Sequence, residues 1–212
     1  MKAPYYSDDL VTIYHGDCRE WMPEADVLVT DPPYGMAYRH GARKGGVRFG
    51  ADEQAIIGDE APFDPDFLLA LGMPTVLFGA NHFADRLPPS RGWVVWDKRD
   101  GSASNDQSDA ELAWTNVLTV ARLFSARWSG AHRTGREQIE GRLHVNQKPV
   151  ALMAWCLSFM PAGVVLDPFM GSGSTLKAAK EAGRRAIGIE IEERYCEIAA
   201  TRCSQEVLGL VI

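Results

Sequence analysis

Two short segments of the chain combine side chains that could do chemistry together. The first is Asp31-Pro32-Pro33-Tyr34. Its two prolines fix the backbone and lack N–H donors, which leaves carbonyl oxygens and the Asp31 carboxylate as a cluster of hydrogen-bond acceptors. Such a cluster could bind an exocyclic amino group, such as N6 of adenine, while the ring of Tyr34 stacks on a base turned out of a helix. A proline-rich turn without chemistry is the alternative, but it does not explain why acceptors gather where a strand ends.

The second segment begins at Asp167 and reads Asp-Pro-Phe-Met-Gly-Ser-Gly-Ser-Thr. Its glycines allow the backbone to approach a ligand, and we expect a helix to begin at Ser174 or Thr175, whose hydroxyls could cap it. An acidic residue precedes the glycines and no Gly-Lys-Ser/Thr follows, so the segment favours an ammonium group and would repel a phosphate. Glu190 ends the next predicted strand, where it could accept hydrogen bonds from a ribose diol. An amine and a ribose without a phosphate fit S-adenosylmethionine better than NAD or ATP.

Buried strands and helices that alternate along the chain must position both segments. Compact apolar runs predict strands at residues 10–14, 26–30, 75–79, 93–96, 163–167 and 185–190. Helices are expected at residues 65–71, 149–160, 174–182 and 193–207. Residues 111–116 and 117–126 resemble a hairpin. This alternation predicts an α/β fold with a mostly parallel sheet, and we expect the strand ends that carry Tyr34 and Gly171 to be neighbours.

The composition narrows the class of protein. The 212 residues, 46% hydrophobic and 24% charged, fit one globular domain and argue against disorder, collagen or coiled coil. No apolar run is long enough to cross a membrane, and the first residues lack the apolar core of a signal peptide. We therefore expect a cytoplasmic protein with no membrane partner. The four cysteines are not spaced as metal-finger ligands, so reduced thiols and no bound metal are expected.

Positive charge is confined to two segments of an otherwise acidic chain. The net charge is −6, yet residues 39–48 and 122–148 hold 10 of the 22 Lys and Arg side chains and 2 of the 28 acidic ones. These segments could steer a polyanion such as DNA to one face, although two solvated loops are the plainer interpretation. The side chains expected to contact DNA are Arg39, Arg43, Lys44, Arg48, Arg127, Arg133 and Arg136.

The order of the two segments, with Asp31-Pro32-Pro33-Tyr34 before the glycine segment, resembles the amino-specific DNA methyltransferases of the permuted β class. Other parts of the chain also resemble elements of that family, in matching order. They are Gly16-Asp17, the His-x-x-Gln-Lys-Pro pattern at residues 144–149, and Gly188-Ile189-Glu190 with Tyr195 and Arg202.

This resemblance implies a Rossmann-like sheet of seven strands and the transfer of a methyl group from S-adenosylmethionine to the amino group of a flipped base in double-stranded DNA. It assigns catalytic roles to Asp31, Pro32 and Tyr34, and Asp rather than Ser at the first position favours adenine N6. Asp17 would lie towards the cofactor's adenine and Lys148 towards its methionine end. The full set of expected cofactor residues is Asp17, Lys148, Asp167, Phe169, Gly171, Ser172, Gly173, Ser174 and Glu190.

We expect the chain to form a single catalytic domain, residues 1–212, with two insertions. These are a mobile basic loop at residues 35–58 and a short target-recognition element at residues 121–144. Because that element is short, specificity could also come from the loop, from a second subunit of a homodimer, or from a partner. Cytosine N4, RNA and a protein amide are alternative targets, and a catalytically silent protein that binds S-adenosylmethionine or DNA is the alternative from another class.

Overall fold

A computed structural model of the protein describes residues 2–36, 57–102, 108–129, 132–133 and 147–205. Most of the basic loop predicted at residues 35–58, and much of the recognition element predicted at residues 121–144, lies outside the described residues. The strands are β1 (Tyr6–Ser7), β2 (Val11–His15), β3 (Val27–Thr30), β4 (Thr75–Phe78), β5 (Gly92–Asp97), β6 (Ala110–Thr115), β7 (Ala121–Ser125), β8 (Trp128–Ser129), β9 (His132–Arg133), β10 (Val165–Asp167) and β11 (Ala186–Glu190).

Helices separate most of the parallel strands along the chain. They are α1 (Asp66–Leu69), α2 (Val150–Ser158), α3 (Ser174–Glu181) and α4 (Glu193–Ser204), together with two 3-10 turns at Ala80–His82 and Ala84–Arg86. Each predicted strand and helix is present, with its ends shifted by one to a few residues, as is usual for element boundaries. None of the helices in the described ranges has the length and apolar character that crossing a membrane requires.

In the described part of the chain, nine strands form the main sheet in the order β1-β2-β11-β10-β3-β4-β6-β5-β7, and β8 pairs with β9 separately. Neighbours from β2 to β4 in this order are parallel, whereas β6 lies antiparallel between β4 and β5. The predicted α/β fold with a mostly parallel, Rossmann-like sheet is confirmed. The run from β2 to β5 contains the seven strands that the resemblance implies, and β1 and β7 extend its two edges.

The hairpin predicted from residues 111–116 and 117–126 is wrong. Its two halves correspond to β6 and β7, which do not pair with each other, because β5 lies between them. Trp93 of β5 is opposite Trp114 of β6 on one side and Ala121 of β7 on the other. The antiparallel pairing of β6 with both β4 and β5 satisfies its backbone on both sides, so the chain must cross the end of β5 before β7 begins.

The central strands are buried on both faces of the sheet. Val27 and Val29 of β3 pack into the core cluster that includes helices α2, α3 and α4, whereas Leu28 faces a second cluster around Leu77 and Leu68. Burial on both faces is typical of parallel strands covered by helices on each side. All chemistry must therefore lie at the strand ends or in the loops that follow them.

The two chemical segments leave adjacent strands of this sheet. β10 pairs in parallel with β3, with Val165 opposite Val27 and Leu166 opposite Leu28. The carboxyl ends of these strands therefore meet at the same edge, as we expected for the strand ends that carry Tyr34 and Gly171. β11, which ends at Glu190, lies on the other side of β10.

Candidate active site

A cavity of about 710 Å³ opens where β2, β3, β10 and β11 end. This volume is suited to a cofactor-sized ligand, since small-molecule sites measure roughly 300–1,000 Å³. Both chemical segments contribute to its wall, whereas the predicted residues Tyr34 and Gly173 are described but do not line it. The predicted site residues in the wall are Asp17, Asp31, Pro32, Lys148, Asp167, Phe169, Gly171, Ser172, Ser174 and Glu190.

Asp167 is a buried carboxylate at the end of β10, only 3% exposed. Its Oδ1 accepts a hydrogen bond from Oγ1 of Thr30 over 2.7 Å and another from the backbone N–H of Phe169 over 3.2 Å. Burial raises the pKa of Asp167 to about 6, because the charged form has lost much of its contact with water. A ligand cation placed against this carboxylate would favour its ionised form.

The glycine segment forms a tight turn between β10 and α3. Gly171 and Gly173 have φ angles of +49° and +79°, a region that favours glycine. A Cβ on Gly173 would lie 2.8 Å from the Cβ of Ala199 in α4, so the close approach of this helix also requires glycine. The Arg202 guanidinium of α4 donates a hydrogen bond to the carbonyl of Ser172 over 2.7 Å and supports the turn from behind.

The expectation that a hydroxyl caps α3 is wrong. The cap position is occupied by Gly173 in the left-handed conformation, and no side chain caps the helix among the described residues. Ser174 is the first helical residue and lines the cavity instead. Gly173, and not Ser174, therefore occupies the N-cap position, from which a side-chain oxygen would accept the free backbone N–H groups of the first turn.

Glu190 is a second buried carboxylate in the wall, 9% exposed. Its Oε2 accepts the backbone N–H of Gly171 over 3.0 Å, and its Oε1 accepts the backbone N–H of Glu192 over 2.8 Å. Burial raises the pKa of Glu190 to about 7. Each carboxylate oxygen has a further lone pair, so Glu190 can still accept hydrogen bonds from a pair of ligand hydroxyls.

Asp17 lies on the rim of the cavity after β2. It forms an ion pair with Arg19 over 2.5 Å, and this contact holds the pKa of Asp17 below its usual range. Arg19 also lines the cavity. The predicted role of Asp17 towards the cofactor's adenine therefore involves a paired carboxylate at a more exposed position than Asp167 or Glu190.

Asp31 lies in a buried polar cluster. Its Oδ1 accepts a hydrogen bond from the Tyr34 hydroxyl over 2.5 Å, and its Oδ2 is ion-paired with the Lys148 ammonium. Lys148 also donates to the Tyr34 hydroxyl over 3.2 Å and lies 3.1 Å from Oε2 of Glu111. Burial alone would lower the pKa of Lys148, but Asp31 and Glu111 raise it above its usual value. Lys148 is predicted at the methionine end of the cofactor, and the structure shows its ammonium on the Asp31 carboxylate.

The ring of Tyr34 packs against two further residues that follow β4. His82 stacks on it with ring centroids 4.9 Å apart and planes inclined by 13°. Gly79 has a φ of +70°, and a Cβ there would overlap the Tyr34 ring. His82 therefore covers one face of the ring on which Tyr34 is predicted to stack a base.

Sequence reasoning missed three residues that the structure brings to this site. Thr30 ends an apolar strand. Because threonine is common in strands, its presence there did not indicate a role for its hydroxyl. Glu111 is the single acid in β6, which is otherwise Ala-Leu-Ala-Trp-Thr, and this was the available signal. Lys98 carried no pattern of its own, because its contact with Glu111 arises only from the pairing of β5 with β6. His82 follows a predicted strand and could border the pocket, although a packed or solvent-facing histidine was the plainer interpretation.

Most of the predicted DNA contacts cannot be located. Arg39, Arg43, Lys44, Arg48 and Arg136 lie outside the described residues, and Arg133 is described only by its place in β9. Arg127 is exposed immediately before β8. Over the described ranges, no group of three or more His, Cys, Asp or Glu side chains is arranged to hold a metal ion.

Comparisons with known proteins point to one family. A profile of the DNA methylase family matches residues 94–201. The chain is 44% identical over 81 residues to the type II methyltransferase M.HinfI of Haemophilus influenzae, covering 35% of this chain and 23% of the relative. It is 36% identical over 104 residues to the type II methyltransferase M2.DpnII of Streptococcus pneumoniae, covering 48% of this chain and 33% of the relative. The chain thus aligns with about a quarter to a third of the length of these relatives.

Solved structures with the same fold have lower sequence identity. The crystal structure of the M1.HpyAVI-SAM complex is 22% identical, with a TM-score of 0.57, and the match covers 92% of this chain and 100% of that one. PvuII DNA methyltransferase, described as cytosine-N4-specific, is 16% identical with a TM-score of 0.62, covering 98% of this chain and 90% of that one. These likenesses support the fold, and the profile covers half of the chain. The chain belongs to the DNA methylase family, as the order of its two chemical segments indicated.

Proposed function

We propose that this protein transfers a methyl group from S-adenosylmethionine to an exocyclic amino group in double-stranded DNA, with adenine N6 as the target. The observation that carries the proposal is the shared cavity. The acceptors of Asp31 and Pro32 and the buried carboxylates of Asp167 and Glu190 line the same space. A donor held by the second pair would therefore lie within reach of an amino group held by the first.

The wall of the cavity fits the cofactor in charge and in hydrogen bonding. Asp167 and Glu190 are buried with raised pKa values, and within the described residues neither has an ion-pair partner. An ammonium group against Asp167 and a ribose diol against Glu190 would satisfy them. When bound, S-adenosylmethionine supplies a methyl group already activated by its sulfonium. The M1.HpyAVI structure, whose fold is similar, is a complex with this cofactor.

The segment Asp31-Pro32-Pro33-Tyr34 would act mainly by orienting the amino group of the target base. The Asp31 carboxylate and the Pro32 carbonyl would accept the two amino hydrogens, which favours a pyramidal nitrogen whose lone pair faces the donor methyl. The same acceptors would stabilise the positive charge that develops on the nitrogen as its bond to the methyl carbon forms and the methyl–sulfur bond breaks. The nitrogen would then release one proton to give the neutral methylated amine. Tyr34 would stack on the flipped base through its aromatic ring.

The choice of adenine rests on the residue before Pro-Pro-Tyr. Asp at position 31, rather than Ser, favours adenine in the resembling family. Cytosine N4 is the second candidate, because a neighbour in fold is described as cytosine-N4-specific. We further propose that residues 35–58 and 121–144 supply DNA contacts and target recognition on a catalytic domain formed by the rest of the chain, alone or as a homodimer.

The decisive experiment measures methyl transfer and identifies the product. The purified protein is incubated with methyl-labelled S-adenosylmethionine and unmethylated duplex DNA, and the nucleosides are then separated. Label in N6-methyldeoxyadenosine supports the proposal, and label in N4-methyldeoxycytidine replaces adenine by cytosine. Absence of label, in a protein that binds the cofactor by calorimetry, would overturn the enzymatic proposal in favour of a silent binding protein. The Asp31→Ala variant serves as the control for contaminating activity.

A further inference from the structure

Four side chains of alternating charge form a connected row beside the cavity. The Lys148 ammonium is ion-paired with Oδ2 of Asp31 and lies 3.1 Å from Oε2 of Glu111. Nζ of Lys98 donates a hydrogen bond to Oε1 of the same glutamate over 2.9 Å. We call Asp31, Lys148, Glu111 and Lys98 the charge row. Its formal charges cancel when all four groups are ionised.

The charge row is largely buried, with side-chain exposures between 5% and 24%, and it brings together distant parts of the chain. Asp31 follows β3, Lys98 follows β5, Glu111 lies in β6 and Lys148 precedes α2. The side chains of Lys148 and Asp31 are 5% and 13% exposed, so their attraction is only weakly screened. Over the described residues, the titratable groups that face Lys148 are Asp31, Tyr34 and Glu111, and those that face Glu111 are Lys98 and Lys148.

The position of Lys148 conflicts with the proposed reaction. The amino nitrogen bound by Asp31 becomes positive as it is methylated, and a second positive charge on the same carboxylate would raise the barrier. Asp31 can accept hydrogen bonds from both groups, because a carboxylate offers about four acceptor sites. The distance between the ammonium and the reacting nitrogen therefore determines the repulsion.

Glu111 has the capacity to relieve this conflict. Its Oε2 is buried and, in the part of the chain that the structure describes, accepts no well-aligned hydrogen bond, although the Lys148 ammonium is within ion-pair distance. A small shift of Nζ would complete that bond. Lys98 holds the other oxygen, Oε1, and so fixes the orientation of the carboxylate.

Resting on the proposed function, we propose that Glu111 is a positioning residue that draws the Lys148 ammonium away from Asp31 when the substrate amino group arrives. Glu111 touches neither the substrate nor the cofactor in this scheme. It acts on the rate of methyl transfer through Lys148. Cofactor binding at Asp167 and Glu190 does not depend on it.

The test compares Glu111→Gln with the wild-type chain in single-turnover methyl transfer to unmethylated duplex DNA. We expect a rate at least tenfold lower at pH 7.5, with the dissociation constant for S-adenosylmethionine unchanged within twofold. Loss of the Glu111 charge also lowers the pKa of Lys148, so Lys148 loses its proton at a lower pH than in the wild type. The Glu111→Gln rate should therefore approach the wild-type rate at high pH, as Lys148 loses its proton, which a purely structural defect would not produce.

The matched control is Asp109→Asn. It removes a carboxylate next to β6 that pairs with Arg99 and not with Lys148, and we expect wild-type rates. If Glu111→Gln does not fold, Lys98→Met provides the test, because it removes the group that orients the Glu111 carboxylate. We then expect the rate of methyl transfer to fall at least threefold, with the affinity for S-adenosylmethionine unchanged.

The outcomes separate the two proposals. A wild-type chain that labels no DNA overturns the proposed function. A labelling wild type with an equally fast Glu111→Gln at every pH, or with an unaffected Lys98→Met where that variant decides, overturns the positioning role alone.

Discussion

The hydroxyl of Thr30 donates a hydrogen bond to Oδ1 of Asp167 over 2.7 Å, and both side chains are buried. Thr30 is the residue before Asp31, and Asp167 begins the glycine segment. This bond therefore joins the two chemical segments directly, across the adjacent ends of β3 and β10. We therefore expect a change in one segment to affect the other.

Replacing Thr30 by valine tests this link. Thr30→Val preserves the shape of the side chain but leaves a buried carboxylate without its hydroxyl donor, which costs about 1–3 kcal/mol of unfolding free energy. We also expect weaker S-adenosylmethionine binding, measured by calorimetry beside urea denaturation. Thr12→Val is the control, since its hydroxyl bonds the exposed Ser7 and its loss should change stability by less than about 0.5 kcal/mol. Equal effects of the two substitutions would contradict the proposed importance of the link.

Replacing Asp31 by alanine separates catalysis from cofactor binding. Asp31→Ala removes the acceptor for the amino group, and we expect methyl transfer to fall at least about 100-fold, the usual effect of deleting one group that stabilises developing charge. Cofactor affinity should remain within a fewfold of wild type, because Asp167 and Glu190 are intact. Asp66→Ala, which removes an exposed carboxylate from the same cavity wall, should remain active. An active Asp31→Ala variant would rule out the catalytic role assigned to this residue.

Cofactor binding should depend on pH through the two buried carboxylates. Burial raises the pKa of Asp167 to about 6 and that of Glu190 to about 7, so the free folded protein binds protons that the unfolded chain releases. Its free energy of unfolding therefore falls as pH rises from about 4 to 7. A cationic ligand needs the ionised form of Asp167, so its affinity should rise over the same window.

Calorimetric titration of S-adenosylmethionine checks this dependence. From pH 5.5 to pH 8 the affinity should increase by at least about tenfold. Glu190→Gln should remove the rise in affinity near pH 7, which comes from Glu190, and leave the rise near pH 6, which comes from Asp167. An affinity that stays constant over the whole range would argue against contact between the cofactor's ammonium group and Asp167.

The packing of Tyr34 on Gly79 predicts a large difference between two glycines. Gly79 and Gly72 have similar φ angles, +70° and +66°, so alanine at either position carries about 1–2 kcal/mol of backbone strain. A Cβ at Gly79 would also overlap the Tyr34 ring, whereas none of the described atoms lies within 4 Å of a Cβ at Gly72. Gly79→Ala should therefore lose more stability than Gly72→Ala and also lose methyl-transfer activity. Thermal unfolding and activity assays of both variants test this difference. Equal losses of stability and activity in the two variants would contradict it.

The proposed DNA contacts predict a change in salt dependence. Neutralising Arg127 and Arg133 together should reduce the slope of log affinity against log salt by about 1 for each lost phosphate contact. Arg185→Gln is the control, because Arg185 is exposed at the amino end of β11, away from the cavity. Fluorescence anisotropy with duplex DNA measures the slope. A slope equal to that of wild type would exclude both arginines from the interface.

Much of this architecture could be predicted from sequence, because the evidence is local. The apolar runs of β3, β10 and β11 end at Asp31, Asp167 and Glu190, and a run of this kind specifies a buried strand wherever it lies. The glycines after Asp167 predict a tight turn, and the carboxyl ends of parallel strands lie at the same edge of the sheet. The fold class, the cofactor side of the cavity and the order of the two segments follow from these patterns.

Pairings between distant strands were decided only by the tertiary structure. Residues 111–126 have the local pattern of a hairpin, but the backbone of β6 forms its hydrogen bonds with β4 and β5. The residues of the segment do not indicate that these strands compete with β7 for pairing with β6. The position of β6 between β4 and β5 brings Glu111 and Lys98 next to Lys148 and so forms the charge row. Sequence by itself determined which residues could react, since side-chain chemistry belongs to each residue. The structure alone decided which charge lies beside Asp31, because the energy of a charge depends on the neighbours that folding provides and on the water that it removes.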